Sequence, residues 1–301
     1  MLKIAYAPLY THPLPDGHRF PMIKYELLIE QLLYEGTITQ ENIFEPEEVK
    51  EQYILDTHDA DYWDRLNGLA LERHEVRRIG FPLSDLLVKR ERVINQGTIM
   101  CAEYALQYGV SLNIAGGTHH AFSDCGEGFC LLNDIAMAAN YLLKYKGFKQ
   151  ILVIDLDVHQ GNGTASIFEG NDQVFTFSMH GAHNFPLRKE TSDLDIGLPD
   201  GTTDEEYLKT LRFHLPMLLD KVQPDFVFYQ SGVDVLETDK LGRLSMSMQG
   251  CKERDQIVFE HCKERDLPVC VSMGGGYSER VARVVEAHAN TFRLAERIFI
   301  E

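Results

Sequence analysis

Disulfide chemistry, basic character and long apolar runs are all missing from this chain. Its six cysteines, Cys101, Cys125, Cys130, Cys251, Cys262 and Cys270, form no C-x-x-C pair and follow no framework spacing. That excludes a disulfide-stapled scaffold and leaves reduced, mostly buried thiols as the expected state. Basic residues are outnumbered, 29 Lys and Arg against 46 Asp and Glu, for a formal charge of −17. Such a balance argues against direct binding to nucleic acid or to an anionic membrane surface and suits a neutral or cationic substrate. No apolar run approaches the roughly 20 residues needed to cross a bilayer. The first residues, MLKIAYAPLY, carry a short strand pattern instead of a charged and then apolar leader, so a cytoplasmic location is expected. Linker-like composition, low-complexity tracts and internal repeats are absent too. With 301 residues, 44% of them hydrophobic, a single domain over 1–301 with a substantial core is the expectation.

What the chain does contain is an alternation of two patterns. Short apolar, β-branched runs at Leu2–Tyr6, Leu112–Ala115, Ile151–Asp155, Val174–Ser178, Phe226–Gln230 and Val269–Met273 read as strands. Between them, apolar residues at three- and four-residue spacing predict helices. The helix over 21–34 is expected to begin at Pro21, and the one over 84–108 to be capped by Ser84 and stopped by Gly109. Further helices are expected near 131–146, 203–220, 249–266 and 278–298, with 36–82 forming loops and short helices over one edge. This order implies a three-layer α/β/α domain around a mostly parallel sheet.

In an open parallel sheet, ligands bind beyond the carboxyl ends of the strands. Four strand exits combine glycine with reactive side chains: Gly116-Gly117-Thr118-His119-His120, Asp155-Leu156-Asp157-Val158-His159-Gln160-Gly161, Ser231-Gly232-Val233-Asp234 and Gly274-Gly275-Gly276-Tyr277. Asp157 and His159 alternate along an extended segment and can face one target. With Asp234 they would offer a divalent ion three ligands, balance its charge, and leave positions open for water and substrate. Taken singly, a strand-end Asp is more often a helix cap, and a loop His pair more often a surface feature. The coincidence of four exits outweighs those readings. His120 or His119 could serve as general base, Asp155 could orient a histidine, and Tyr277 could donate to an oxyanion.

The motifs HPLPDGHRFPM (12–22), GGTHHAF (116–122), GEGFCLLND (126–134), DLDVHQGNG (155–163), SGVDVLETDKLGRLSMS (231–247) and GGGYS (274–278) resemble the zinc-dependent histone deacetylase superfamily over nearly the whole chain. The resemblance implies an arginase/deacetylase fold with an eight-stranded sheet. It implies zinc, with iron(II) possible, at Asp157, His159 and Asp234. His120 takes the place of the general base and acid, His119 of its electrostatic neighbour with Asp155 as partner, and Tyr277 of the carbonyl-polarising tyrosine. Phe129 and Phe185, with Gly128 and Gly275, correspond to the acyl-lysine tunnel. Arg19 falls near an internal channel, and Ser178 with Asp155 at a structural potassium site. HQGNG, where class I members have HHGDG, is similar to the class IV and related bacterial branch, and places Asn162 beside His120. Implied substrates are acyl-lysine or, alternatively, acetylpolyamines and small N-acyl metabolites. A binuclear ureohydrolase on the same fold would need acidic ligands where this chain has Gly161 and Leu236. A non-catalytic acyl-lysine binding module is the reading from outside enzymology.

Overall fold

The buried apolar runs become the central sheet. In the computed structural model, which describes residues 1–300, each of the six runs overlaps a strand. The strands are β1 (Lys3–Ala5), β2 (Ile43–Phe44), β3 (Val110–Asn113), β4 (Ile151–Asp155), β5 (Val174–Gly181), β6 (Leu194–Leu198), β7 (Phe226–Gln230) and β8 (Val269–Ser272). They form one sheet in the order β2-β1-β3-β8-β7-β4-β5-β6, and every pairing is parallel. All residues of β3, β4, β7 and β8 are buried. Covered on both faces, β4 and β7 read as near-continuous apolar runs, while β3 buries Ser111 and Asn113 between its apolar residues.

The described residues form ten α-helices: α1 (Lys24–Tyr34), α2 (Glu51–Leu55), α3 (Ala60–Asn67), α4 (Arg73–Ile79), α5 (Asp85–Tyr108), α6 (Asp134–Tyr141), α7 (Asn162–Ile167), α8 (Asp204–Val222), α9 (Met248–Glu264) and α10 (Val281–Phe299). Long α5 lies across β1, β3 and β8 with α6 beside it, while α8, α9, α10 and α1 pack in succession. Ser84 caps α5, its hydroxyl accepting from Leu87 N–H at 3.2 Å, and Gly109 ends it at φ +83°. Substituting Gly109 would force a side chain into a left-handed backbone.

The structure departs from the sequence expectations at several boundaries. Pro21 lies outside α1: Lys24 N–H donates to Pro21 O at 2.9 Å, so a turn over 21–23 precedes the first helical residue. The helix expected over 131–146 starts at Asp134, because the Asn133 side chain accepts from Ala136 N–H at 3.0 Å. It passes at Leu142 into a π-helical turn. Strands β2 and β6 were not expected from the residues: β2 has two residues and β6 carries Gly197. Glu301, the last residue of the expected domain, lies outside the described residues. All six cysteines are free, and no helix among the described residues is long and apolar enough to cross a membrane.

Candidate active site

Strand order explains why four separate motifs meet. β3, β8, β7 and β4 are consecutive neighbours at the centre of the sheet. Their carboxyl ends are level, Asn113 pairing with Ser272, Ser272 with Gln230, and Gln230 with Asp155. The four exits therefore open onto one floor.

Asp157, His159 and Asp234 are all buried, and one ligand atom from each lies within 4.8 Å of the others. His159 Nδ1 sits 3.0 Å from Asp157 Oδ1 and 3.1 Å from Asp234 Oδ2. The backbone fixes the carboxylates from outside: Gly275 N–H donates to Asp157 Oδ2 at 2.7 Å, and Val158 N–H to Asp234 Oδ1 at 3.0 Å. A Cβ at Gly275 would stand 1.9 Å from Asp234 Oδ2 and 2.9 Å from Asp157 Oδ2. A side chain there would fill the cradle. The charge pattern also calls for a cation. Burial and the neighbouring Asp157 push the Asp234 carboxyl up to about 7. Burial works against the charge on His159, yet its hydrogen bonds to Asp157 and Asp234 raise it to about 10. A buried His/Asp/Asp set that must otherwise gather protons fits a divalent ion, which takes their place.

His119 and His120 leave the β3 exit on a loop anchored by Asp134, whose Oδ1 accepts from Thr118 N–H at 2.8 Å and from its hydroxyl at 2.7 Å. The rings lie 4.1 Å apart but have different partners. His119 Nδ1 is 2.7 Å from Asp155 Oδ2, and His120 Nδ1 is 2.6 Å from Asn162 Oδ1. Their environments drive them apart. For His119, burial is outweighed by the Asp155 carboxylate and the result is a raised pKa. For His120, burial is reinforced by His119 and His159, and the pKa falls well below the usual histidine value. Asp155 thus favours the charged form of His119, while burial and the neighbouring imidazoles favour the neutral form of His120, a division that suits a charge stabiliser and a base.

Tyr277 follows β8, its N–H donating to Asp239 Oδ2 at 2.6 Å. Burial, then the Asp234 and Asp157 charges, keep its hydroxyl protonated well above the ordinary tyrosine range, which makes it a donor. Beneath the same loop, buried Lys24 donates to Gly274 O at 3.2 Å. Burial lowers its amine to about 8 against the pull of Asp234 and Asp157.

The opening above this floor is lined by Phe129, Phe185, Gly128, Tyr277, Leu241, Arg19, Arg78 and Glu127. Phe185 stands edge-on to His120 at 5.0 Å between centroids, and Phe129 lies 6.1 Å from Tyr277. Gly128 has φ +53°, and a Cβ there would meet the His120 ring at 2.8 Å. Arg19 requires a correction. It is exposed, its guanidinium 4.9 Å over the Phe129 ring at the outer opening, and not at an internal channel. The inner cavity, bounded by Tyr25, Phe81, His119 and Tyr277, has Arg90 in its wall, with Arg90 Nε donating to Tyr10 O at 2.8 Å. Ser178 pairs in register with Asp155 across β4 and β5, and its hydroxyl is 2.9 Å from His180 Nδ1.

Sequence reasoning missed Arg254 of α9, which is fully buried. Its Nη1 donates to Gly232 O at 2.5 Å and to Leu156 O at 3.1 Å, and its Nη2 to Ser231 O at 3.4 Å. These carbonyls belong to the segments carrying Asp157 and Asp234. Asp255 neutralises it at 2.8 Å. A charged residue on an amphipathic helix gives no sequence signal of this role. Arg254→Ala is expected to destabilise the protein by about 3–5 kcal/mol, since it strands a buried carboxylate, a loss read as a lower urea midpoint.

Comparison with known proteins places the chain by family and by fold. Residues 18–292 match the family model of the histone deacetylase domain. The chain is 42% identical over 296 residues to an uncharacterized protein of Picosynechococcus sp., covering 98% of this chain and 99% of that one. It is 30% identical to histone deacetylase 2 of Arabidopsis thaliana, covering 89% of this chain and 72% of the relative. The crystal structure of an HDAC homolog from Aquifex aeolicus superposes with a TM-score of 0.83 at 25% identity, covering 98% of this chain and 84% of that one. An HDAC homolog complexed with SAHA gives 0.82, also at 25% identity, over 98% and 83% of the two chains. On these matches and on the sheet that carries its site, the chain belongs to the histone deacetylase family.

Proposed function

We propose that this protein is a metal-dependent amidohydrolase that removes acyl groups from N-acyl amines, acyl-lysine foremost. The observation that carries the reading is the meeting of Asp157, His159 and Asp234 with a neutral His120 and a protonated Tyr277 below an aromatic-walled opening. That opening suits an extended side chain entering between Phe129 and Phe185. A structurally similar HDAC homolog has been solved in complex with SAHA, which supports reading the opening as a ligand site.

Asp157, His159 and Asp234 would hold zinc, or iron(II), and the bound ion supplies Lewis acidity toward the acyl carbonyl and a more acidic water. His120, with Nδ1 engaged by Asn162, takes the water proton at Nε2. His119, whose charged form Asp155 favours, offsets negative charge as it develops. Tyr277 donates its hydroxyl to the forming oxyanion. His120 then returns its proton to the departing amine, so the base becomes the acid. A structural potassium ion beside Ser178 and Asp155 belongs to the same proposal, supported by their register pairing. So do a cytoplasmic location and kinship with the class IV branch.

Substrate choice is tested by a panel of acyl-lysine peptides and acetylated polyamines of matched acyl length. Higher kcat/KM on acyl-lysine is the expected result, and preference for polyamines would overturn that part of the proposal. The amide at Asn162 gives a pH prediction. A carboxylate there favours the imidazolium form of His120, so the pKa of the base rises. Protonation of the base ends activity on the acid side. Asn162→Asp is therefore expected to move the acidic limb of the kcat profile upward by about one unit, with Arg78 offsetting the added like charge beside Glu127.

A further inference from the structure

Glu127 sits at the rim of the opening, in a tight turn closed by Glu127 N–H to Cys130 O at 3.0 Å and Cys130 N–H to Glu127 O at 2.9 Å. One carboxylate oxygen accepts from Arg78 Nε at 3.1 Å. The other accepts from Asn162 Nδ2 at 2.9 Å. Asn162 Oδ1 is in turn 2.6 Å from His120 Nδ1. Arg78, Glu127, Asn162 and His120 thus form one hydrogen-bonded line from the protein surface to the reaction floor.

The direction of that line is dictated by chemistry. An ionised carboxylate can only accept, and a guanidinium can only donate. With Glu127 held by Arg78, the nitrogen of the Asn162 amide must face Glu127 and its oxygen must face His120. An oxygen there requires a proton on Nδ1, which leaves the lone pair on Nε2. We infer that Glu127 is a positioning residue that sets the tautomer of His120 through Asn162. The inference rests on the proposed reading of His120 as the base.

The need for such a residue follows from the amide. A carboxylate beside His120 would accept from Nδ1 in either orientation. An amide turned by 180° presents N–H groups to Nδ1 instead, which selects the tautomer with its proton on Nε2 and removes the base. Asparagine at position 162 therefore works only with an acceptor on its far side. Glu127 supplies that acceptor, and its charge also polarises the amide toward the imidazolium formed during turnover. In the alternative, Glu127 merely fastens Arg78 to the rim.

The test uses metal-loaded protein, Glu127→Ala, Glu127→Gln and Asn162→Asp with and without Glu127→Ala. Turnover, KM, bound metal and the ¹⁵N resonances of His120 are measured. Glu127→Ala is expected to lower kcat roughly 10- to 100-fold, within the range that general-base catalysis contributes. KM and metal content should hold, while the His120 resonances move from the Nδ1–H form to a mixture. Glu127→Gln offers one oxygen for two donors, and with Arg78 on that oxygen its NH2 faces Asn162, so it is expected to stay slow with the His120 resonances shifted as in Glu127→Ala. In the Asn162→Asp background, removing Glu127 should cost far less. A wild-type tautomer in Glu127→Ala, or a Gln variant with wild-type turnover and tautomer, overturns the inference. His120→Ala distinguishes it from the broader reading: full activity there would sink the assignment of the base, whereas the resonances judge Glu127 without reference to turnover.

Discussion

Asp157→Ala is expected to yield folded protein with bound divalent metal well below stoichiometric and kcat/KM lower by at least about 10³, a loss of several kcal/mol of transition-state stabilisation. Asp157 occupies the centre of the floor. Its Oδ1 accepts from His159 N–H at 3.0 Å and its Oδ2 from Gly275 N–H at 2.7 Å, so both oxygens are aimed before any ion arrives. Burial opposes its charge, but His119 and His159 hold the carboxyl well below the usual range. Alanine removes one of three convergent donors and half the compensating negative charge. Elemental analysis and steady-state kinetics on the same preparation read the two effects together. Stoichiometric metal with normal turnover would remove Asp157 from the site.

Tyr277→Phe is expected to lower kcat about 10²- to 10³-fold, the usual cost of one oxyanion donor, while bound metal stays near stoichiometric. The substitution probes the hydroxyl cleanly. The Tyr277 ring packs edge-on to Phe20 at 5.9 Å and near Phe129 at 6.1 Å, contacts that phenylalanine retains. Its backbone is pinned by Asp239, so the loop keeps its place. Equal losses of metal and activity would point instead to a structural role for the hydroxyl.

The site was largely legible in the sequence because parallel strands are buried on both faces. Polar residues at the ends of apolar runs, such as Asp157 after Ile151–Asp155 and His119 after Leu112–Ala115, therefore stand out against a uniform background. The order of the strands was not legible. Nothing in β3 or β8 states that they are neighbours: 155 residues lie between Asn113 and Val269, yet the two strands pair directly, Val110 with Val269 and Asn113 with Ser272. β6 escaped because Gly197 weakens its pattern, and β2 because two residues carry no periodicity. Arg19 shows the limit of motif matching: its side chain folds outward over Phe129, and Arg90 of α5 lines the inner cavity. Glu127 lay inside a quoted motif, yet its role depends on Asn162 and Arg78, which only tertiary structure brings to its two oxygens.

The central claim is that one divalent ion at Asp157, His159 and Asp234 enables this chain to hydrolyse an acylated lysine. The most direct measurement strips the protein of metal and follows deacylation of an acyl-lysine peptide while zinc is titrated back. Activity should be lost on stripping and return in proportion to added zinc, reaching its full value near one equivalent. Undiminished hydrolysis by the stripped protein, or none after one equivalent has bound, would contradict the account.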